Sequence, residues 1–186
     1  RGVNADASPI LDRRVHFWRL QALADAVATR AAHDALPDEL RAAITAFCSE
    51  WLASRAGPET DAEPFIKNKF AQLAVSLIRH GYPARWPDAF RTLLGALSRG
   101  PVAVDVFLRT LRTLHEEVVE DVAEPAVAAR VKDAMRADCV GAIVEAWYSI
   151  LSHHREVAPE VAAACMHTLH PYVEWIDISL VATPRF

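Results

Sequence analysis

The sequence predicts an all-α protein of about seven amphipathic helices joined into antiparallel hairpins. Three observations carry this reading. Apolar residues recur at steps of three and four along the chain. No stretch alternates with period two for long enough to make a strand. Prolines stand where new apolar runs begin.

The first run carries Leu20, Leu23, Ala24 and Val27, and the second Leu40, Ile44, Phe47, Cys48 and Trp51. The third carries Ile66, Phe70, Leu73, Ala74 and Leu77, and the fourth Phe90, Leu93, Leu94 and Leu97. Val104, Phe107, Leu111, Leu114 and Val118 mark the fifth; Met135, Cys139, Ile143, Trp147 and Leu151 mark the sixth. Val161, Cys165, Leu169, Tyr172 and Ile176 mark the seventh. Pro37, Pro64, Pro87, Pro101, Pro125 and Pro159 precede or open these runs. A first-turn proline loses nothing, because its missing N–H would have had no partner. Asp38, Glu39, Glu63, Asp88, Glu124 and Glu160 lie beside them, at the positive end of each helix dipole. Gly57, Gly81 and Gly100 fall at expected helix ends. Pro171 lies inside the seventh run and predicts a kink or break there.

Consecutive pairing gives hairpins over about 12–56, 64–99 and 101–153, with an unpaired helix over about 159–182. Repeats on the order of 40–50 residues are the size of HEAT and armadillo units. Periodicity alone admits either a closed bundle or a stacked α-α superhelix. The unpaired seventh helix favours the superhelix, a HEAT-type solenoid whose open end rests on a further neighbour. The chain starts Arg1-Gly2-Val3 and ends Pro184-Arg185-Phe186 just after a helical run, so a fragment of a longer protein is expected.

The 186 residues are 52% hydrophobic with only 6 glycines, which is incompatible with a disordered or fibrous chain. The net charge of −4 means that any contact with nucleic acid must come from a local patch. Cys48, Cys139 and Cys165 are odd in number, lack CxxC spacing and sit among apolar residues, so buried free thiols in a reducing compartment are expected. No apolar run reaches transmembrane length.

No glycine-rich phosphate loop, nucleophile elbow or HExxH motif is present, so no catalysis and no cofactor are predicted. His153 and His154 are adjacent and diverge on a helix. His167 and His170 share a face, but Cys165 points away from it, so no metal site is expected. The acidic run Glu116, Glu117, Glu120 and Asp121 reads as a solvated face. Trp51, Trp86 and Trp147 read as core. Basic residues are sparse: Arg41 on the second helix, Arg91 and Arg99 on the fourth, Lys132 and Arg136 on the sixth. These are the second members of the hairpins, which in a solenoid line one surface. The five are therefore the candidates for a phosphate-facing or partner-facing stripe.

The segment "EPFIKNKFAQLAVSLIRHGYPARWPDAF", Glu63 to Phe90, resembles a characteristic exportin block. It has an I-x-N-K core, a helix, then proline, tryptophan and phenylalanine ahead of the next helix. "RRVHFWRLQALADAV" upstream resembles the preceding exportin helix. "VDVFLRTLRTLHEEVVE", "VKDAMRADCVGAIVEAWYSIL" and "YVEWIDISLVATPRF" are similar to the tRNA-carrying branch, most of all in the stretch Trp175 to Ala182. The resemblance covers nearly the whole chain. It implies a HEAT-repeat member of the importin-β (karyopherin) superfamily, spanning the second hairpin to the first helix of the fifth. It implies Ran-GTP, tRNA and nuclear pore proteins as partners, no membrane, and shuttling between nucleus and cytoplasm. The five basic residues would then face Ran or tRNA. A receptor for protein cargo and a HEAT scaffold outside transport are the alternatives.

Overall fold

The computed structural model describes residues 8–55 and 63–184. The described residues form nine α-helices and no strand. These are α1 (Ser8–Ala26), α2 (Arg30–Ala35), α3 (Asp38–Arg55), α4 (Pro64–Gly81), α5 (Ala89–Ala96), α6 (Pro101–Leu114), α7 (Pro125–Asp138), α8 (Val140–Val157) and α9 (Pro159–Leu169). A 3-10 turn, Leu97–Arg99, follows α5, and a π turn, His115–Val119, follows α6.

Packing order decides between bundle and solenoid. Helix α1 packs on α4, α4 on α6 and α6 on α9, forming one layer. Helix α3 packs on α5 and α5 on α8, forming the second. Each helix meets its neighbours in chain order, which is the packing of a stacked α-α superhelix of the HEAT type.

Proline occupies the first turn of α4, α6, α7 and α9. Gly81 is the last residue of α4. Gly100 joins the 3-10 turn to α6 at φ 136°, a conformation that a side chain would strain. Gly57 lies outside the described residues.

The seven sequence runs resolve into nine helices for local reasons. Helix α2 has six residues, too few to show a period; Thr29 caps it by accepting from the Ala32 N–H at 3.1 Å. The sixth run is two helices, α7 and α8, divided at Cys139 where φ is −143°. The break does not shift the apolar spacing: Met135, Cys139, Ile143 and Trp147 are all buried. The seventh run stops being α-helical at Leu169 and continues as 3-10 turns over His170–Glu174 and Ile178–Leu180. Pro171 stands at the start of the first of these, where the break was expected.

The core is continuous between the layers. The Trp51 ring stacks on Phe70 at 4.3 Å, and Tyr82 meets Phe90 edge-on at 5.1 Å. Trp147 meets Tyr172 edge-on at 5.3 Å, and the Tyr172 hydroxyl donates to the Leu111 carbonyl at 2.8 Å. Trp51, Trp86 and Trp147 are all buried, as expected. All three cysteines are free and buried, and burial pushes each thiol up to about 12, so none is a reactive thiolate.

Trp147 is fully buried. Trp147→Ala is expected to destabilise the fold by about 3–5 kcal/mol, read from a urea titration; an unchanged midpoint would place the indole outside the core.

His33 of α2 and His80 of α4 are buried with ring centroids 5.5 Å apart. Burial holds both imidazoles below their ordinary value of 6.5. Nearby Arg85 and Arg79 act in the same direction, while Asp34 beside His33 partly offsets the effect. The unfolded chain therefore binds protons that the folded chain refuses. This contribution to stability is complete above pH 6.5 and is lost as pH falls through 6.5 toward the depressed folded values. Denaturation midpoints measured from pH 7.5 to 5.5 should fall, and His80→Phe should flatten the slope.

Candidate partner-facing surface

The five basic residues singled out by sequence have different local environments. Arg41 on α3 is mostly buried and its guanidinium donates to the carbonyls of His33 and Leu36, at the end of α2. It also pairs with Asp38. Its position makes it the cap of a short helix. Arg99 donates to the Ala53 carbonyl at 2.9 Å, joining the turn after α5 to α3. Arg136 donates twice to the Trp175 carbonyl, at 3.1 and 2.9 Å, and lies 5.3 Å from the centre of the Trp175 ring. Arg91 on α5 is different: its side chain is 84% exposed and its partner is the neighbouring Asp88 at 2.6 Å. Lys132 is half-buried and makes no ion pair among the described residues.

The premise that all five line one layer also changes. At the third level the second-layer helix is α8. Helix α7, which carries Lys132 and Arg136, is interposed and packs on α8, on the π turn and on α4. A cleft of about 590 Å³ opens where α5 meets the α7–α8 break, with Asp88, Arg91, Gly95, Asp138 and Cys139 in its lining. Its charged groups are two carboxylates and one guanidinium, so the cleft by itself is no anion site.

Sequence comparison defines the context of this surface. Residues 63–186 match the family described as Exportin 1-like protein. The chain belongs to that exportin family. It is similar to Exportin-T of Arabidopsis thaliana, with 36% identity over 182 residues, covering 93% of this chain and 18% of the relative. Similarity to Exportin-T of Homo sapiens is 36% over 141 residues, covering 73% and 15%. For Exportin-T of Dictyostelium discoideum it is 40% over 129 residues, covering 67% and 12%. The chain thus spans less than a fifth of the length of these exportins.

The exportin match begins at Glu63, the residue before α4, and its recognisable residues have structural roles. Ile66 and Phe70 are buried. Lys67 bridges to Asp105 at 2.5 Å and the Asn68 carbonyl oxygen accepts from Arg109 at 2.6 Å, so this turn ties α4 to α6. Trp86 and Phe90 are core. The Asp177 carboxylate accepts from the Ser179 N–H at 2.9 Å, shaping the turn after Trp175.

Sequence reasoning missed the other end of α4. The Arg79 guanidinium donates to Glu124 at 2.7 and 3.0 Å, to Asp121 at 2.5 Å and to the Glu117 carbonyl at 3.0 Å. Arg130 of α7 donates back to the carbonyls of Arg79 and Tyr82, satisfying the end of α4. The acidic run expected to be a solvated face is therefore partly engaged: Asp121 binds Arg79, and Glu120 lies 3.0 Å from His115 Nε2. Nothing local in the sequence marks the partners of Arg79 and Arg130, which lie 38 to 51 residues apart.

Arg79→Met is expected to lower the denaturation midpoint, with a smaller loss in about 1 M salt than at low salt, since screening already weakens the parent contact. Equal losses at both salt concentrations would show that Arg79 acts through its aliphatic stem.

Proposed function

We propose that this chain is a segment of a nuclear export receptor which, with Ran-GTP, binds tRNA in the nucleus and carries it to the cytoplasm. The receptor acts by binding and has no catalysis of its own. The observation that carries the reading is the similarity to Exportin-T along 93% of the chain. Ran-GTP, tRNA and nuclear pore proteins are the partners this implies, with shuttling between nucleus and cytoplasm. No described helix is long and apolar enough to cross a membrane. A-form RNA is recognised through phosphates, 2′-hydroxyls and shape. Stacked hairpins suit that task, because contacts with neighbours alone let a helical surface follow a large cargo.

The charge distribution limits what this segment contributes. The net charge is −4. Arg41, Arg99 and Arg136 are engaged with backbone carbonyls. Among the five candidates, Arg91 and Lys132 are the two best placed to face Ran or tRNA. Each phosphate neutralised contributes about 0.9 to the logarithmic salt slope for duplex DNA, so two contacts give a shallow slope and weak binding. Strong binding then requires the rest of the receptor to hold the same RNA.

The test is tRNA binding by the full-length receptor with and without Ran-GTP. Binding should depend on Ran-GTP, and Arg91→Glu with Lys132→Glu should weaken it without lowering the melting temperature. The isolated segment should bind tRNA weakly at physiological salt; tight binding there would overturn the shared-contact reading. The sparse free cations favour one second reading, an exportin with protein cargo. Loss of tRNA capture in both nucleotide states, with Ran-GTP binding intact, would select it.

A further inference from the structure

Helices α6 and α7 have the same length and very different support. Each has 14 residues. Eight residues of α6 are buried, from Ala103 to Leu114, whereas α7 buries only Ala128, Val131 and Met135. Val127 and Ala134 add partial burial against the core. Burial of apolar side chains is the main force that holds a helix to its neighbours, so α7 is the more weakly docked of the two.

Polar bonds hold α7 instead. Just ahead of it, Glu124 accepts from Arg79 at 2.7 and 3.0 Å. From its middle, Arg130 donates to the Arg79 and Tyr82 carbonyls at the end of α4. Toward its end, Arg136 donates to the Trp175 carbonyl at 2.9 and 3.1 Å, and Asp138 accepts from the Tyr82 hydroxyl at 3.2 Å. Burial and then the nearby Arg30 disfavour the charged form of Arg130, with Glu124 a partial offset. Such bonds contribute little net stability each, because water replaces the partners once they separate.

Both ends of α7 have room to turn. The π turn His115–Val119 and residues 120–124 separate it from α6. Cys139, at φ −143°, separates it from α8. A few residues at the ends of an element are enough to absorb a hinge rotation. The moving part borders the cleft described above: Ala137 and Asp138 form one wall, and Arg91, Leu94 and Gly95 of α5 form the other.

We propose that α7 is a hinged clasp. It undocks as one unit, about the loop before it and Cys139 after it, while α4, α6 and α8 stay folded. The cleft beside α5 widens as it leaves. Lys132 rides on α7 and Arg91 stays on α5, so the spacing of these two cations differs between the closed and the open clasp. The device follows from the packing of α7 and does not depend on which cargo the receptor carries.

The test is hydrogen exchange of the full-length receptor, read by mass spectrometry. Amides of residues 129–138 should exchange about tenfold or more faster than those of residues 105–114 in α6, at a common rate along α7. Arg130→Met should speed exchange across α7 by about a further tenfold, as for the loss of a charge-assisted bond, and leave α6 and α8 unchanged. Arg136→Met should do the same. Its side chain is 45% exposed, so this variant decides alone should Arg130→Met fail to fold. Equal protection of α7 and α6, rates that grade inward from one frayed end, opening of α7 together with α8, or faster exchange of α6 in either variant would each overturn the clasp.

Discussion

Helix α4 has almost no face left for solvent, and the stack is arranged around that constraint. Ile66, Phe70, Leu73, Ala74, Leu77 and Ile78 are buried, and so are Ala71 and Val75 on the adjoining side. A helix apolar over so much of its circumference must be covered by neighbours on several sides. Here α1 covers one flank and α6 the other, with α3 and α7 completing the enclosure. Its ends are closed by charge. Lys67 and Asn68 bind α6 at the first turn, while at the last Arg79 donates to Glu124 and Arg130 donates to the Arg79 carbonyl. Apolar burial supplies the driving force, and the charged ends fix the register, since an unpaired group at these seams would lose its partner without regaining full solvation.

The same use of charge recurs among the arginines of the described residues. Arg41, Arg79, Arg99, Arg130 and Arg136 all donate to backbone carbonyls, most of them at helix or turn ends. Guanidinium suits this work, since its fork can satisfy several carbonyls at once.

The interposed helix α7 is where the repeat departs most from two helices per unit. It is tied to α4 through Arg130 and to the segment after α9 through Arg136 and Trp175. It therefore contacts both the helix pair before it and the segment after α9. The π turn before it and the Cys139 break after it are the adjustments that fit an extra helix between α6 and α8.

By itself the sequence determined that the protein is helical, most of the core residues, and where most helices begin; Leu40, read as part of the second buried run, is 46% exposed. Those properties rest on apolar spacing and on first-turn prolines, both local along the chain. The exportin block was legible for the same reason, as contiguous residues of α4 and its sequel. The break at Cys139 was not, because one irregular residue left Met135 and Ile143 on the same buried side. Nor was the fate of the basic residues. Arg41 finds the end of a helix too short to announce itself, and Arg136 finds a carbonyl 39 residues away. Tertiary structure decided which cations are occupied. A charge in a sequence shows only that a group must be solvated or paired, and the partner is chosen by packing between segments far apart in the chain.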